Sequence, residues 1–317
     1  ECGDRATRPL IVFDCRSSTF ALLRRTNRSM ADSQPHPAIR FAAPASILHG
    51  QPLKALMGKE LVTLIAEALE PVVPGFDRRR FRTAAMRELE SLELKERSRA
   101  IARAIAEQLP ESFDEAGPLL IASLGPPLER TEGNGLATFF YLPHSELIAE
   151  RGVESFESGM RANYELTRRF TAEFSVRPFL VRHRERALTL LGDWVDDPCP
   201  HVRRLVSEGT RPRLPWGMRL GEFQADPSHT LPLLERLKDD DSEYVRRSVA
   251  NHLGDLAKDH LTTILDLCER WLDETKRLSE PRRIENRRAL LRHALRYPFK
   301  QGNERAISLR RLAGTKR

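Results

Sequence analysis

Apolar positions recur along this chain at helical spacing. Leu53, Leu56, Leu61, Leu64, Ile65, Ala68 and Leu69 fall on one side of a helix that stops before Pro71 and Pro74. Leu94, Ile101, Ile105 and Leu109 make a second such face, ending at Pro110. A loop bearing Gly and Pro, from Gly125 to Gly135, separates this N-terminal portion from the rest. From Glu154 onward helix follows helix. Leu166, Phe170 and Phe174 read as an i, i+4 stripe ended near Arg177-Pro178. Further helices are predicted near 183–195, 201–208, 215–223, 229–238, 243–259, 261–274 and 284–297. No segment alternates as a row of strands would.

Two of these helical segments say nearly the same thing. Asp196-Asp197-Pro-Cys-Pro-His-Val202-Arg203-Arg204-Leu-Val-Ser207 is echoed by Asp240-Asp241-Ser-Glu-Tyr-Val245-Arg246-Arg247-Ser-Val-Ala250, with the Val-Arg-Arg cores 43 residues apart. That separation lies within the roughly 40–47 residues of HEAT or armadillo repeats. A helix pair of this kind cannot bury its apolar face alone, so copies stack around a continuous core. The expected fold is all-α: a right-handed α-solenoid of HEAT-like repeats with a concave basic face. On a wheel at about 100° per residue, Val245, Val249, His252, Leu253 and Leu256 share the packing arc, while Arg247, Asn251, Asp255 and Lys258 collect opposite.

Residues 53–302 are taken as the repeat domain, 303–317 as a basic C-terminal tail, and 1–52 as a disordered or non-native leader. The first 29 residues look foreign to the fold, and Met30 precedes a plausible native start, so upstream translation or a cloning artefact is expected to account for them. Gly133-Asn-Gly135 follows no strand and is not read as a phosphate loop.

Charge narrows the choice of partner. Lys plus Arg number 52 against 45 Asp plus Glu, giving +7 and a pI near 9.5, which suits a polyanion. Cys2, Cys15, Cys199 and Cys268 form neither a C-x-x-C pair nor a metal-ligand spacing, and they read as free thiols. No histidine pattern indicates zinc, and no apolar run approaches the length of a membrane span. A monomer without metal or cofactor, in a bacterial cytoplasm beside the nucleoid, is expected.

One repeat before Trp216 stands Glu173, again 43 residues away, and Asp255 follows Trp216 by 39. Two carboxylates and an indole could therefore converge on one strip. Ordinary structure offers other accounts. Glu173 lies four residues from both Arg169 and Arg177, Asp255 lies three from Lys258, and Trp216 after Pro215 could begin a helix and pack in the core.

Several strings carry a family resemblance. They are Thr171-Ala-Glu173-Phe174-Ser-Val-Arg177-Pro178-Phe179, the run His201 to Trp216 ending Ser-Glu-Gly-Thr-Arg-Pro-Arg-Leu-Pro-Trp, the run Val245 to Asp259, and Arg292-His293-Ala-Leu-Arg296. Together they resemble the AlkC branch of the DNA-alkylation-repair glycosylases and reach across most of the chain. The resemblance implies an enzyme of base excision repair that removes cationic alkylated bases such as 3-methyladenine from double-stranded DNA, without flipping the base. It implies Glu173 and Asp255 as catalytic carboxylates, Phe174 and Trp216 as aromatic contacts to lesion or sugar, and Arg211, Arg213 and Lys258 along the DNA path. With them, Arg203, Arg204, Arg246, Arg247, Asn251 and Arg292 are expected to bind DNA.

The chain departs from the family at Gly254, where asparagine is usual, and at Pro298. No immunoglobulin-like domain of the kind some members carry is expected in the stretch up to Arg317. The chemistry suits the residues. An N-alkylated purine cation is already a good leaving group, so what helps is negative charge beside the emerging oxocarbenium ion and a base to align water. The alternatives are a catalytically silent nucleic-acid-binding solenoid and a protein scaffold using the acidic loop Lys238 to Glu243.

Overall fold

The computed structural model describes residues 34–47 and 50–314, and no strand occurs among them. The helices run α1 (Pro37–Arg40), α2 (Lys59–Leu69), α3 (Arg78–Met86), α4 (Leu94–Ala106), α5 (Phe113–Ala122), α6 (Leu142–Arg151), α7 (Phe156–Thr167), α8 (Arg177–Arg182) and α9 (Arg184–Trp194). They continue as α10 (Pro200–Gly209), α11 (Gly221–Ala225), α12 (Leu231–Leu237), α13 (Glu243–Leu256), α14 (Leu261–Glu274), α15 (Pro281–Ala294), α16 (Arg296–Lys300) and α17 (Glu304–Leu312). The all-α reading holds.

The repeat appears as a ladder of neighbouring helices. α7 packs on α10, α10 on α13 and α13 on α15, while α12 and α14 back the same rungs. Pro200 and Pro281 open α10 and α15, where a missing N–H costs nothing. Val245, Val249, His252, Leu253 and Leu256 are each wholly buried, as the helical wheel requires. Polar bonds between rungs recur near one repeat length. Arg203 meets Asp240 across 37 residues, Glu208 meets Ser248 across 40, and His252 meets the Ser207 carbonyl across 45. The sequence period and the spatial stacking are therefore one property.

Several boundaries differ from the sequence reading. α7 ends at Thr167, so Phe170 and Phe174 lie beyond it, in the turn leading to α8. No helix begins at Pro215, because residues 211–220 form turns and only α11 follows. Gly254 does not interrupt α13, although glycine costs a helix interior about 1 kcal/mol relative to alanine. Pro298 is absorbed by a break at Leu295 and the short α16. The leader and tail were drawn too wide. Phe41 is buried against Phe140, with ring centroids 6.0 Å apart, and α17 buries Ala306 and Leu309 against α14. Residues 1–33, including Cys2, Cys15 and the proposed upstream segment, lie outside the described residues, as do 315–317. Cys199 and Cys268 are free thiols. Among the described residues no helix is long and apolar enough to cross a membrane.

Candidate functional site

Glu173 sits in the turn between α7 and α8 and is not on a helix. Its Oε2 accepts from the Thr171 hydroxyl at 2.9 Å and pairs with Arg204 Nη1 at 2.5 Å. The two arginines suggested by sequence spacing point elsewhere. Arg169 bonds Glu165 and the Gly125 carbonyl, and Arg177 bonds the carbonyls of Met218 and Gly209. A helical ion-pair ladder therefore does not account for Glu173. The partner comes from the next repeat.

From Arg204 the contacts continue without a gap. Arg204 approaches Glu208 Oε1 at 3.4 Å, and Arg211 Nη1 reaches that same oxygen at 2.6 Å. Arg211 then contacts Asp255 Oδ2 with Nε at 2.9 Å and Nη2 at 2.8 Å. Lys258 closes the series on Asp255 Oδ1 at 3.2 Å. Glu173, Arg204, Glu208, Arg211, Asp255 and Lys258 thus alternate in sign along one row drawn from three repeats. Asp255 is 5% exposed, at the edge of the packing face and not opposite it as the wheel suggested.

Glu208 was not singled out in the sequence, although it stands inside the Ser-Glu-Gly-Thr-Arg string. Its Oε2 accepts from Ser248 at 2.6 Å, so both of its oxygens are engaged. Burial opposes its charge, but the guanidiniums of Arg204 and Arg211 hold its pKa below the usual glutamate value. Burial likewise works against Arg204 and Arg211, and the carboxylates beside them keep both pKa values raised. Glu208, Arg204 and Arg211 thus hold one another in their charged forms. Beneath it Arg177 is fully buried, its pKa lowered to about 10 by burial despite the acids nearby.

Trp216 is not a core residue; it is 63% exposed. Leu214, Pro215, Trp216 and Gly217 form a turn closed by Gly217 N–H donating to the Leu214 carbonyl at 3.2 Å. Proline second and a left-handed residue third is the type II pattern, and glycine is the usual third residue. Here that residue is Trp216, at φ +62°. A non-glycine residue there costs roughly 1–2 kcal/mol. Trp216 lies on a turn, and the residue of the next repeat that pairs with Glu173 is Arg204. What joins Trp216 to the site is Lys95 of α4, which donates to the Trp216 carbonyl and stands 5.3 Å from the centroid of the half-buried Phe174 ring.

The basic residues divide into two groups. Arg203 grips Asp240 with two bonds, at 2.6 and 2.9 Å, and also bonds the Asp197 carbonyl. Arg246 holds the carbonyls of Asp240 and Asp241, Arg213 grips Asp259 at 3.0 and 2.8 Å, and Arg292 holds Glu285 and the Ala313 carbonyl. Arg203, Arg246 and Arg292 are thus engaged within the protein, while Arg246 and Arg292 also line the grooves described next. Asn251 Oδ1 accepts from His293 Nε2 at 2.7 Å. Arg247 and Arg296 are exposed, and neither has an ion-pair or hydrogen-bond partner among the described residues. They line a groove of about 450 Å³ between α13 and α15. An adjoining groove of about 610 Å³ adds Phe299, Arg310 and Arg311. Sequence patterning had not marked Arg296, Arg310 or Arg311 as site residues, since arginines are frequent throughout the chain.

With this geometry in hand, likeness to known proteins becomes informative. A Bacillus subtilis protein, the uncharacterized YhaZ, is 32% identical over 258 residues, covering 81% of this chain and 67% of that protein. The solved Pseudomonas fluorescens alkylpurine DNA glycosylase AlkC, bound to DNA containing an abasic site analog, superposes with a TM-score of 0.71 at 35% identity. That match covers 82% of this chain and 68% of the other. The chain belongs to the AlkC family. No protein-family profile matches it.

Proposed function

We infer that this protein is an alkylpurine DNA glycosylase that hydrolyses the N-glycosidic bond of cationic alkylated bases such as 3-methyladenine in duplex DNA. The observation that carries this reading is the single row of charges joining Glu173 and Asp255, with the exposed Trp216 attached through Lys95 and Phe174. Likeness to AlkC supports it.

The chemistry follows from which atoms are left over. Among the described residues Glu173 Oε1 has no partner, and Asp255 Oδ1 has only the longer contact to Lys258. As the bond from C1′ to nitrogen lengthens, positive charge passes from the base to the sugar, and the base leaves neutral. Fixed negative charge at the two acids favours that transfer. Water adds to C1′ and gives up a proton, with one of the acids aligning it. Donors or charges preorganised in this way contribute about 3–4 kcal/mol each to comparable transition states. The aromatic faces of Phe174 and Trp216 add about 0.5–2 kcal/mol for a cationic nucleoside and little for a neutral one. The lesion stays in the duplex, held against an indole that stands clear of the surface. Arg247, Arg296 and Lys258 contact phosphates, positioning without reading sequence.

The deciding experiment is release of 3-methyladenine from alkylated duplex DNA, with release of unmodified adenine as the control. Release of the alkylated base alone is expected. Tight binding without release would return the protein to the silent DNA-binding solenoid. With a 2-aminopurine reporter beside the lesion, a large fluorescence rise on binding would mean that the base is extruded.

A further inference from the structure

We propose that Lys95 is a positioning residue that ties Trp216 and Phe174 into one rigid aromatic edge. Its functional meaning rests on the glycosylase reading above, whereas the structural half of the proposal does not. Lys95 belongs to the N-terminal helical portion, 121 residues before Trp216, where no site residue was expected. Its ammonium has two partners, the carbonyl of Trp216 and the face of Phe174. The base from which it reaches is itself fixed. Glu93 and Glu96 cap the first turn of α4 reciprocally, with Glu93 N–H donating to Glu96 at 2.9 Å, and Lys54 pairs with Glu93 at 2.5 Å.

The turn needs such a hold. With φ at +62°, Trp216 can relax toward about −90°, the third-residue value of a type I turn, and the indole would swing with it. Two cationic donors oppose that relaxation from different elements: Arg177 of α8 on the Met218 carbonyl, and Lys95 of α4 on the Trp216 carbonyl. Arg177 is buried and also holds the Gly209 carbonyl, so it fixes where the loop sits. Lys95 touches both aromatic partners, and so it sets their relation to each other.

The test uses the full chain labelled with 5-fluorotryptophan, which has three tryptophans. Trp194 and Trp271 are buried, Trp216 is exposed, and Trp216→Phe assigns its resonance. Lys95→Met is expected to shift or broaden the Trp216 resonance while leaving the other two in place, and Lys95→Arg to restore most of the original position. Lys95→Gln repeats the test should the methionine variant fold poorly. Single-turnover release of 3-methyladenine is expected to fall about tenfold or more in Lys95→Met and to recover within about threefold in Lys95→Arg, because small misplacements of a reacting partner cost rates of this size. Binding of undamaged duplex should not change. An unmoved Trp216 resonance in Lys95→Met overturns the proposal. So does a binding loss that lowers the salt slope by about one, which would make Lys95 a phosphate contact. If the wild-type protein releases no base, the glycosylase reading fails, and the fluorine spectra still decide the positioning role.

Discussion

Asp255 reaches back 44 residues to Arg211, and two nitrogens of that guanidinium settle on one of its oxygens, leaving the other to Lys258 alone. Glu173 has the same asymmetry, with Oε2 engaged and Oε1 unpartnered among the described residues. Glu208 lies between them with both oxygens bound. The outer acids thus have an oxygen to offer, and the middle one braces the arginines.

Glu173→Gln and Asp255→Asn are expected to lower the single-turnover rate of base release by about 10²–10³, the range for losing one preorganised electrostatic contact. Affinity for undamaged duplex should stay within about threefold. Glu208→Gln should behave differently, destabilising the fold by about 3 kcal/mol because it leaves Arg204 and Arg211 under-compensated in a buried place. Denaturant melts separate the two outcomes. Undiminished release in both outer variants would remove those acids from the reaction.

Trp216 carries backbone strain but is largely exposed. Trp216→Asn, with a side chain that tolerates the left-handed region, should stabilise the protein by up to about 1 kcal/mol while reducing base release. Thermal unfolding and the release assay check the two halves. A fall in stability would show that the indole packs more productively than its exposure indicates.

Arg203 is the first arginine of one echoed Val-Arg-Arg string and Arg247 the second arginine of the other, and the two should respond in opposite ways. Arg247→Gln is expected to reduce the slope of log affinity against log salt by about one while sparing stability. Arg203→Gln should leave the slope alone and cost about 3 kcal/mol, since Asp240 is almost buried behind it. Fluorescence anisotropy across a salt series, paired with melts, distinguishes them.

Acid should weaken the fold well above the pH at which carboxylates titrate. Burial lowers the pKa of His144 and of His252 from 6.5 to about 3. Above pH 6.5 both are neutral whether folded or unfolded, and nothing is lost. Between pH 6.5 and about 3 the unfolded chain takes up protons that the native protein refuses, so stability falls as pH falls. Each histidine contributes up to about 1.4 kcal/mol per pH unit in that window. Urea midpoints from pH 8 to pH 5 should show this decline, and His144→Leu should flatten it. A midpoint independent of pH across that range would contradict the burial of both rings in their neutral form.

How much of this was legible beforehand depends on what wrote it. The ladder of helices could be read because the 43-residue echo and the buried arc of Val245, Val249, Leu253 and Leu256 are periodic. Glu173, Asp255 and Trp216 were found through the specific strings around them. Glu208 and Lys95 were not, because their importance comes from contacts 40 and 121 residues away. The helix expected at Pro215 failed for a local reason. A proline-led turn that forces tryptophan into a glycine conformation is an arrangement that propensity counts against. Arginine alone was the least readable, since the same residue type serves as brace at Arg203 and stands unpartnered at Arg247.

The row of alternating charges has an evolutionary consequence. Because it is assembled from three consecutive helical units, the chain could gain a unit at either end and keep its chemistry. A single-residue insertion within α10 or α13 would rotate the helix beyond it by about 100° and part Arg211 from Asp255. Variation among relatives should therefore accumulate in the outer units, while the stretch from α8 to α13 holds its length.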